Sequence, residues 1–174
     1  MAVPHLLGDG FRLEPLTVAD APELLAAVTD DAEIRRWSSV GQVRGLEAMQ
    51  RWAVSRATSD RVEWTIRLPE GSLAGRVALH RVDLDDRSAE IGYGLFQSFR
   101  GQGLARRVVA RVTTYGFDDL ALHRIELEHA VDNARSCGVA AACGYLLEGT
   151  KREVFDDQAG GWDDAHLHAR LSTD

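Results

Sequence analysis

Residues 97–109 have the sequence Gln-Ser-Phe-Arg-Gly-Gln-Gly-Leu-Ala-Arg-Arg-Val-Val, a glycine-containing turn between a strand-like and a helix-like segment. The first four N–H groups of a helix have no partner inside it, and the helix dipole also favours an anion there. Gly101 and Gly103 carry no Cβ, so the backbone can approach a phosphate closely. The stretch predicts a phosphate site, although a plain strand-to-helix turn would also use these glycines. It lacks the P-loop and Rossmann patterns.

The strand-like segment before this turn, residues 89–96, directs its side chains alternately to two faces. Ile91, Tyr93 and Leu95 share one face, and the other carries Glu90, Gly92, Gly94 and Phe96. Two glycines on one face of a strand usually mark a position where a ligand or another backbone comes close. The sequence therefore predicts a slot that runs along this strand to the phosphate site.

These residues resemble the GNAT family of N-acetyltransferases, whose acetyl-CoA loop has the pattern Gln/Arg-x-x-Gly-x-Gly/Ala. Arg100, Gly103 and Ala105 fill that pattern. Residues 133–136 (Asn-Ala-Arg-Ser) and 144–149 (Gly-Tyr-Leu-Leu-Glu-Gly) are similar to two signatures of the RimJ/RimL branch, which acetylates protein N-termini and small amines. The resemblance runs from about residue 11 to residue 171.

The resemblance implies one GNAT domain over residues 1–174, with a mixed, mostly antiparallel sheet flanked by helices. It implies acetyl-CoA as cosubstrate, no metal, and a primary amine as acceptor, either a peptide N-terminus or a small molecule. The family often has a lysine or arginine at the position of Ala142, so here the nucleotide end of the cofactor depends on Arg100, together with Arg106 or Arg107. The cofactor-binding residues it implies are Leu95, Phe96, Arg100, Gly101, Gln102, Gly103, Leu104, Ala105, Asn133 and Ser136.

Composition limits the function classes. A net charge of −7 argues against a nucleic-acid partner, and it either suits a cationic acceptor or merely aids solubility. No run of eighteen apolar residues and no secretory signal pattern is present, so we expect a cytoplasmic protein without membrane contact. We expect the protein to be a monomer or a homodimer. Cys137 and Cys143 lack metal-ligand spacing.

Periodicity outlines the elements in chain order. We expect strands at residues 11–16, 61–68, 72–82, 89–96, 124–131, 145–156 and 162–171, the last two joined by a turn that begins at Gln158. Helices are expected from a capping box that begins at Thr17 through a face that includes Val28, from residue 45 to 57, from Leu104, and from the cap at residues 132–133 to about residue 143. The helix from Leu104 is expected to bury a stripe of Leu104, Val108, Val112 and Tyr115. The strand at residues 124–131 is expected to direct Ile125, Leu127 and Val131 inward. Residues 30–43 show a less regular pattern of apolar and polar residues. The order favours a sheet covered by helices.

Acetyl transfer from a thioester to an amine needs a group that accepts the ammonium proton and one that protonates the thiolate. Glu90, beside the predicted slot, and Glu128 are the candidate bases, and direct attack without a protein base remains open. Ser136 matches the family position that protonates the thiolate. His166 and His168 point the same way on the last strand, but two ligands make an incomplete zinc site.

Two function classes follow. The first is an acetyl-CoA-dependent N-acetyltransferase that works by direct attack in a ternary complex. The alternative is a non-catalytic acyl-CoA-binding or sensing module with the same fold. Ser136 together with Glu90 or Glu128 distinguishes them, because a protein that only binds would not need these groups.

Overall fold

The computed structural model describes residues 2–29, 31–157 and 159–174, so Gln158 of the predicted last turn and Asp30 lie outside the described residues. No helix in those ranges combines the length and apolarity that crossing a bilayer requires. The strands are β1 (Leu6–Gly8), β2 (Phe11–Pro15), β3 (Val62–Arg67), β4 (Leu73–Asp83), β5 (Ser88–Leu95), β6 (Arg124–Ala130), β7 (Leu146–Asp156) and β8 (Trp162–Leu171). The helices are α1 (Ala21–Thr29), α2 (Ala32–Trp37), α3 (Leu46–Val54), α4 (Leu104–Asp118) and α5 (Ala134–Ala142).

The strands form one sheet in the order β1-β2-β3-β4-β5-β6-β8-β7. Every neighbouring pair is antiparallel except β5 and β6, which are parallel. The predicted mixed, mostly antiparallel sheet flanked by helices is confirmed. Sequence periodicity missed β1 and α2, because three and six residues are too few to establish a period.

The helices cover the sheet through the faces that the sequence predicts. The stripe of α4 is buried at all four predicted positions, namely Leu104, Val108, Val112 and Tyr115. Helices α1 to α3 pack around a second cluster that includes Leu24, Val28 and Met49. Thr17 begins the predicted capping box, since its N–H donates to Asp20 at 2.8 Å.

The segment from β6 to α5 differs from the prediction in one respect. Val131 is 39% exposed, whereas His129 is 5% exposed and continues the buried alternation of β6. The inward position predicted for Val131 is therefore wrong, because the strand ends at Ala130. Asn133 caps α5 as predicted, and Gly144 follows the helix with φ +78°.

Candidate functional site

The candidate site lies where the two parallel strands stop pairing. Strand β5 pairs with β6 only through Ser88–Glu90, so residues 91–95 have no partner on that side. A cavity of about 900 Å³, here called the central cavity, is lined there by Tyr93, Gly94 and Leu95 of β5. Helix α2 with its flanking residues, the turn before α4, the start of α4 and one face of α5 line the rest of it. The predicted slot therefore exists at the Gly94 end of the strand.

The two glycines of the strand make room for other side chains of this protein. A Cβ on Gly92 would lie 3.3 Å from His80 Nε2, and a Cβ on Gly94 would lie 3.3 Å from Ile34 Cδ1. The space beside Gly92 is thus occupied by His80 and is not part of the central cavity. The expectation of an open slot along both glycines is wrong at Gly92.

The turn before α4 has the backbone of an anion site. Gly101 and Gly103 have φ of +75° and +72°, and Gly103 is the N-cap of α4. Both conformations are left-handed, so these positions favour glycine for backbone reasons as well as for close approach. Leu104, Ala105 and Arg106 form the first turn, where helix N–H groups have no internal partner, and they line the central cavity.

Arg100 is held by carboxylates on the other side of the cavity. Its Nη2 lies 2.5 Å from Asp31 Oδ2, its Nη1 lies 2.5 Å from Glu33 Oε2, and its Nε donates to the Leu95 carbonyl at 2.9 Å. The guanidinium therefore connects the turn before α4 to the start of α2. Arg106 lines the cavity without a carboxylate partner among the described residues, so it is the cation better placed to meet a phosphate.

Asp31 is the buried end of this contact. Its side chain is 3% exposed, and it accepts hydrogen bonds from the N–H groups of Ile34 and Gln97 as well as from Arg100. Burial opposes ionisation, but these hydrogen bonds outweigh it and lower the pKa of Asp31 below its ordinary value. Sequence reasoning missed this pair, because its members lie 69 residues apart.

Two hydroxyl groups meet inside the central cavity. Tyr93 Oη donates to Ser136 Oγ at 3.2 Å, and Ser136 lines the cavity from the first turn of α5. Burial raises the pKa of Tyr93 to about 12, against the opposing effect of the Ser136 hydrogen bond. The tyrosine hydroxyl is therefore protonated near neutral pH. Sequence analysis identified Ser136 but not Tyr93, whose position on the strand carried no motif.

Asn133 caps α5, and its predicted contact with the cofactor stays a prediction. Its Oδ1 accepts the Ser136 N–H at 3.1 Å, which caps α5, and the residue also lines the central cavity. Among the other predicted cofactor residues, Leu95, Gly101, Gly103, Leu104 and Ala105 line the cavity, and Phe96 and Gln102 do not.

The two candidate bases lie outside the lining of this cavity and close to each other. One carboxylate oxygen from each of Glu90, Glu126 and Glu128 lies within 4.8 Å of the others, and we call these residues the acidic cluster. Glu90 Oε1 accepts from Arg81 at 2.6 Å, and Glu128 is paired with Lys151. The side chains of Glu90 and Glu128 are 18% and 13% exposed, so both are more shielded than surface positions. Their catalytic assignment stays a prediction.

His80, adjacent to Glu90, is uncharged near neutral pH. Its Nδ1 lies 3.7 Å from Glu90 Oε2. Burial, together with the charges of Arg61 and Arg81, lowers the pKa of His80 to about 4. On the α2 side, Trp37 lines the central cavity and the guanidinium of Arg36 lies 4.2 Å from its ring centre.

Comparison with known proteins agrees with this geometry. A family model described as "Acetyltransferase (GNAT) domain" matches residues 11–146. The chain is 38% identical to YdaF, an N-acetyltransferase of Bacillus subtilis (strain 168), over 86 residues that make up 49% of this chain and 47% of YdaF. It is 33% identical to the ribosomal-protein-serine acetyltransferase of Escherichia coli (strain K12) over 103 residues, 59% of this chain and 56% of that protein. The chain thus spans about half the length of these two relatives.

The fold match extends further than the sequence match. The structure of RimL, the ribosomal L7/L12 alpha-N-protein acetyltransferase in complex with coenzyme A, superposes with a TM-score of 0.89 at 20% identity, over 97% of this chain and 98% of RimL. The family model covers most of the chain, and it includes the cavity-lining turn and the start of α5. By sequence and by fold, the chain belongs to the GNAT family of acetyltransferases.

Proposed function

We propose that this chain transfers an acetyl group from acetyl-CoA to a primary amine by direct attack in a ternary complex. The observation that carries the proposal is that the free amides at the start of α4 and the Tyr93–Ser136 hydroxyl pair line the same cavity. The first group suits a pyrophosphate, and the second suits a leaving thiolate. Arg106 adds a positive charge on the phosphate side.

The reaction forms one C–N bond and breaks one C–S bond. The amine nitrogen attacks the thioester carbonyl carbon, and the thiolate leaves with a proton from the Ser136 hydroxyl. Tyr93 donates to Ser136, so its hydroxyl can replace that proton, and Tyr93 then regains a proton from solvent. The surplus proton on the nitrogen goes to water or, through water, to the acidic cluster. An α-amine has an ordinary pKa of about 7.7 to 8.0, so much of it is already neutral at slightly alkaline pH.

We propose a protein N-terminal α-amine as the acceptor, and a small-molecule amine as the second candidate. The names of the ribosomal-protein-serine acetyltransferase and of RimL support the first. The net charge of −7 supports a cationic small amine. Both cysteines are free, which is in keeping with a cytoplasmic setting.

A thiol-release assay tests the proposal. Purified protein is mixed with acetyl-CoA and, separately, with a peptide that begins with serine, with a polyamine, and with no acceptor. We expect release above the no-acceptor rate with the peptide, and loss of most of it in Ser136→Ala. Acetyl-CoA binding by calorimetry without release for any acceptor would favour the non-catalytic binding or sensing module.

A further inference from the structure

A second group of chemically reactive side chains lies on the opposite face of β6 from the acidic cluster. It consists of His129 on β6, Cys137 on α5, and His166 and His168 on β8, and we call it the histidine–cysteine cluster. Antiparallel pairing sets His129 opposite His166 and Leu127 opposite His168, so the three imidazoles share one sheet face. One ligand atom from each of the four residues lies within 4.8 Å of the others.

The imidazole nitrogens are arranged like those of a metal site. His129 Nε2 and His168 Nε2 are 3.2 Å apart. Zinc–nitrogen bonds of about 2.0 to 2.1 Å place two ligands of a tetrahedron roughly 3.3 to 3.4 Å apart. The observed separation is therefore close to one edge of a zinc tetrahedron. The other two ligand atoms lie within 4.8 Å of this pair.

The other ring nitrogens of these two histidines face backbone carbonyls. His129 Nδ1 lies 2.9 Å from the Ala130 oxygen, and His168 Nδ1 lies 3.4 Å from the Tyr145 oxygen. Both Nδ1 atoms are placed to donate N–H, which leaves a lone pair on each Nε2. Two lone pairs that face each other at 3.2 Å need a proton or a cation between them. Histidine ligands of metals usually donate their second N–H to a carbonyl or carboxylate in this way.

The other two residues of the cluster are His166 and Cys137. His166 Nδ1 is buried and has no hydrogen-bond partner among the described residues. Cys137 is a free thiol, partly buried, in the first half of α5. Cys143, in contrast, donates its thiol to the Arg106 carbonyl at 3.4 Å, so the two cysteines differ in role.

We propose that His129, Cys137, His166 and His168 bind one Zn²⁺ ion. Three imidazoles and a thiolate are borderline-soft ligands that suit zinc, and four protein ligands close the coordination sphere, as in structural sites. The Cys137 thiol loses its proton to solvent on coordination. The ion ties α5 to β6 and β8 and fixes the first turn of α5, which carries Ser136. This site stands independently of the proposed acetyl transfer.

We do not propose a metal site at the acidic cluster. Each of its carboxylates already has its own cation, namely Arg81 for Glu90, Arg124 for Glu126 and Lys151 for Glu128. Within the described part of the chain, no Lys or Arg side chain pairs with the histidine–cysteine cluster. The two sets of potential ligands, on opposite faces of the sheet around β6, therefore differ in whether their charges and lone pairs are already satisfied.

Metal titration of the tag-free chain, stripped with a chelator, tests the site. We expect one Zn²⁺ per chain by elemental analysis after dialysis. Co²⁺ in its place should give the intense visible bands of tetrahedral cobalt together with a thiolate-to-cobalt charge-transfer band. Cys137→Ser should remove the charge-transfer band. Cys137→Ser and His166→Ala should each weaken Zn²⁺ binding by about tenfold or more.

Matched controls separate the site from general thiol and imidazole binding. Cys143→Ser and His123→Ala should bind Zn²⁺ and Co²⁺ like the unchanged chain. Both ligand variants alter partly exposed positions, and circular dichroism checks their folding. Absence of stoichiometric binding to the unchanged chain would overturn the proposal and leave a shared proton between His129 and His168. Binding that survives in both ligand variants would overturn it as well.

Discussion

The central cavity and the acidic cluster both adjoin β5, but they differ in whether their polar groups already have bonding partners. Gly94 lines the cavity, and Glu90 lies on the same strand face about 13 Å away, at roughly 3.3 Å per residue. The cavity is lined by helix amides and hydroxyls that still have bonding capacity. The cluster contains carboxylates that are each paired with a cation. Unsatisfied donors around a cavity indicate ligand binding, whereas fully paired charges indicate a structural or indirect role.

Gly103→Val is the variant from which we expect the largest effect. A β-branched residue is poorly tolerated at φ +72°, so the amides at the start of α4 should move out of place. We expect acetyl-CoA affinity by calorimetry to fall by about a thousandfold or more, which corresponds to about 4 kcal/mol. Gly45→Val is the matched control, because Gly45 caps α3 with φ +82° and also has open space around it. Equal losses of affinity in both variants would contradict the anion site.

The next variant removes the negative charge of Asp31, which pairs with Arg100 and connects the turn before α4 to α2. Asp31→Asn breaks a buried ion pair with Arg100, and we expect a stability loss on the order of 3 kcal/mol. The pKa of Asp31 is lowered in the folded state, so the wild-type advantage is complete above the unfolded value near 4 and disappears as pH falls through the folded value. Urea unfolding from pH 3 to 7 measures it.

Glu33→Gln is the control for that experiment. Glu33 also pairs with Arg100, but its side chain is 39% exposed, so its loss should cost much less. A stability difference between wild type and Asp31→Asn that stayed constant down to pH 3 would contradict the linkage.

The hydroxyl pair gives a smaller, kinetic test. Ser136→Ala should lower kcat about tenfold or more with nearly unchanged cofactor affinity, because the proton donation matters mainly in the transition state. Tyr93→Phe should lower kcat less. Tyr145→Phe is its control, since Tyr145 pairs with Thr113 in the core and does not line the cavity. An effect on cofactor affinity alone would make Ser136 a binding residue.

The smallest effect is expected at the acidic cluster. Glu90→Gln should lower kcat/KM only a few-fold and weaken the acidic limb of the pH–rate profile, because proton transfer from there requires intervening water. Glu128→Gln and Glu126→Gln should have less effect. If Glu128→Gln alone loses that limb, the base lies on β6. If neither variant changes the profile, the acceptor amine needs no protein base.

Local patterns were sufficient for much of the fold. The stripe of α4, the capping box at Thr17 and the cap at Asn133 depend on residues a few positions apart, and the structure has them as expected. The mixed sheet was predicted from the order of the elements and from the family resemblance, and it is confirmed. Elements without a period were missed, namely β1 and α2. Val131 was misplaced, because periodicity does not indicate where a strand ends.

The sequence by itself determined the family, the turn before α4 and the position of Ser136, because each depends on local spacing, and it indicated the sheet through the order of the elements. Only the tertiary structure decided which distant groups satisfy each other. It pairs Arg100 with Asp31, fills the space at Gly92 with His80, and joins Tyr93 to Ser136. It also adds His129 and Cys137 to the incomplete pair of His166 and His168. The physical reason is that strand register and helix packing set such contacts, and neither is encoded in the spacing of residues along one element.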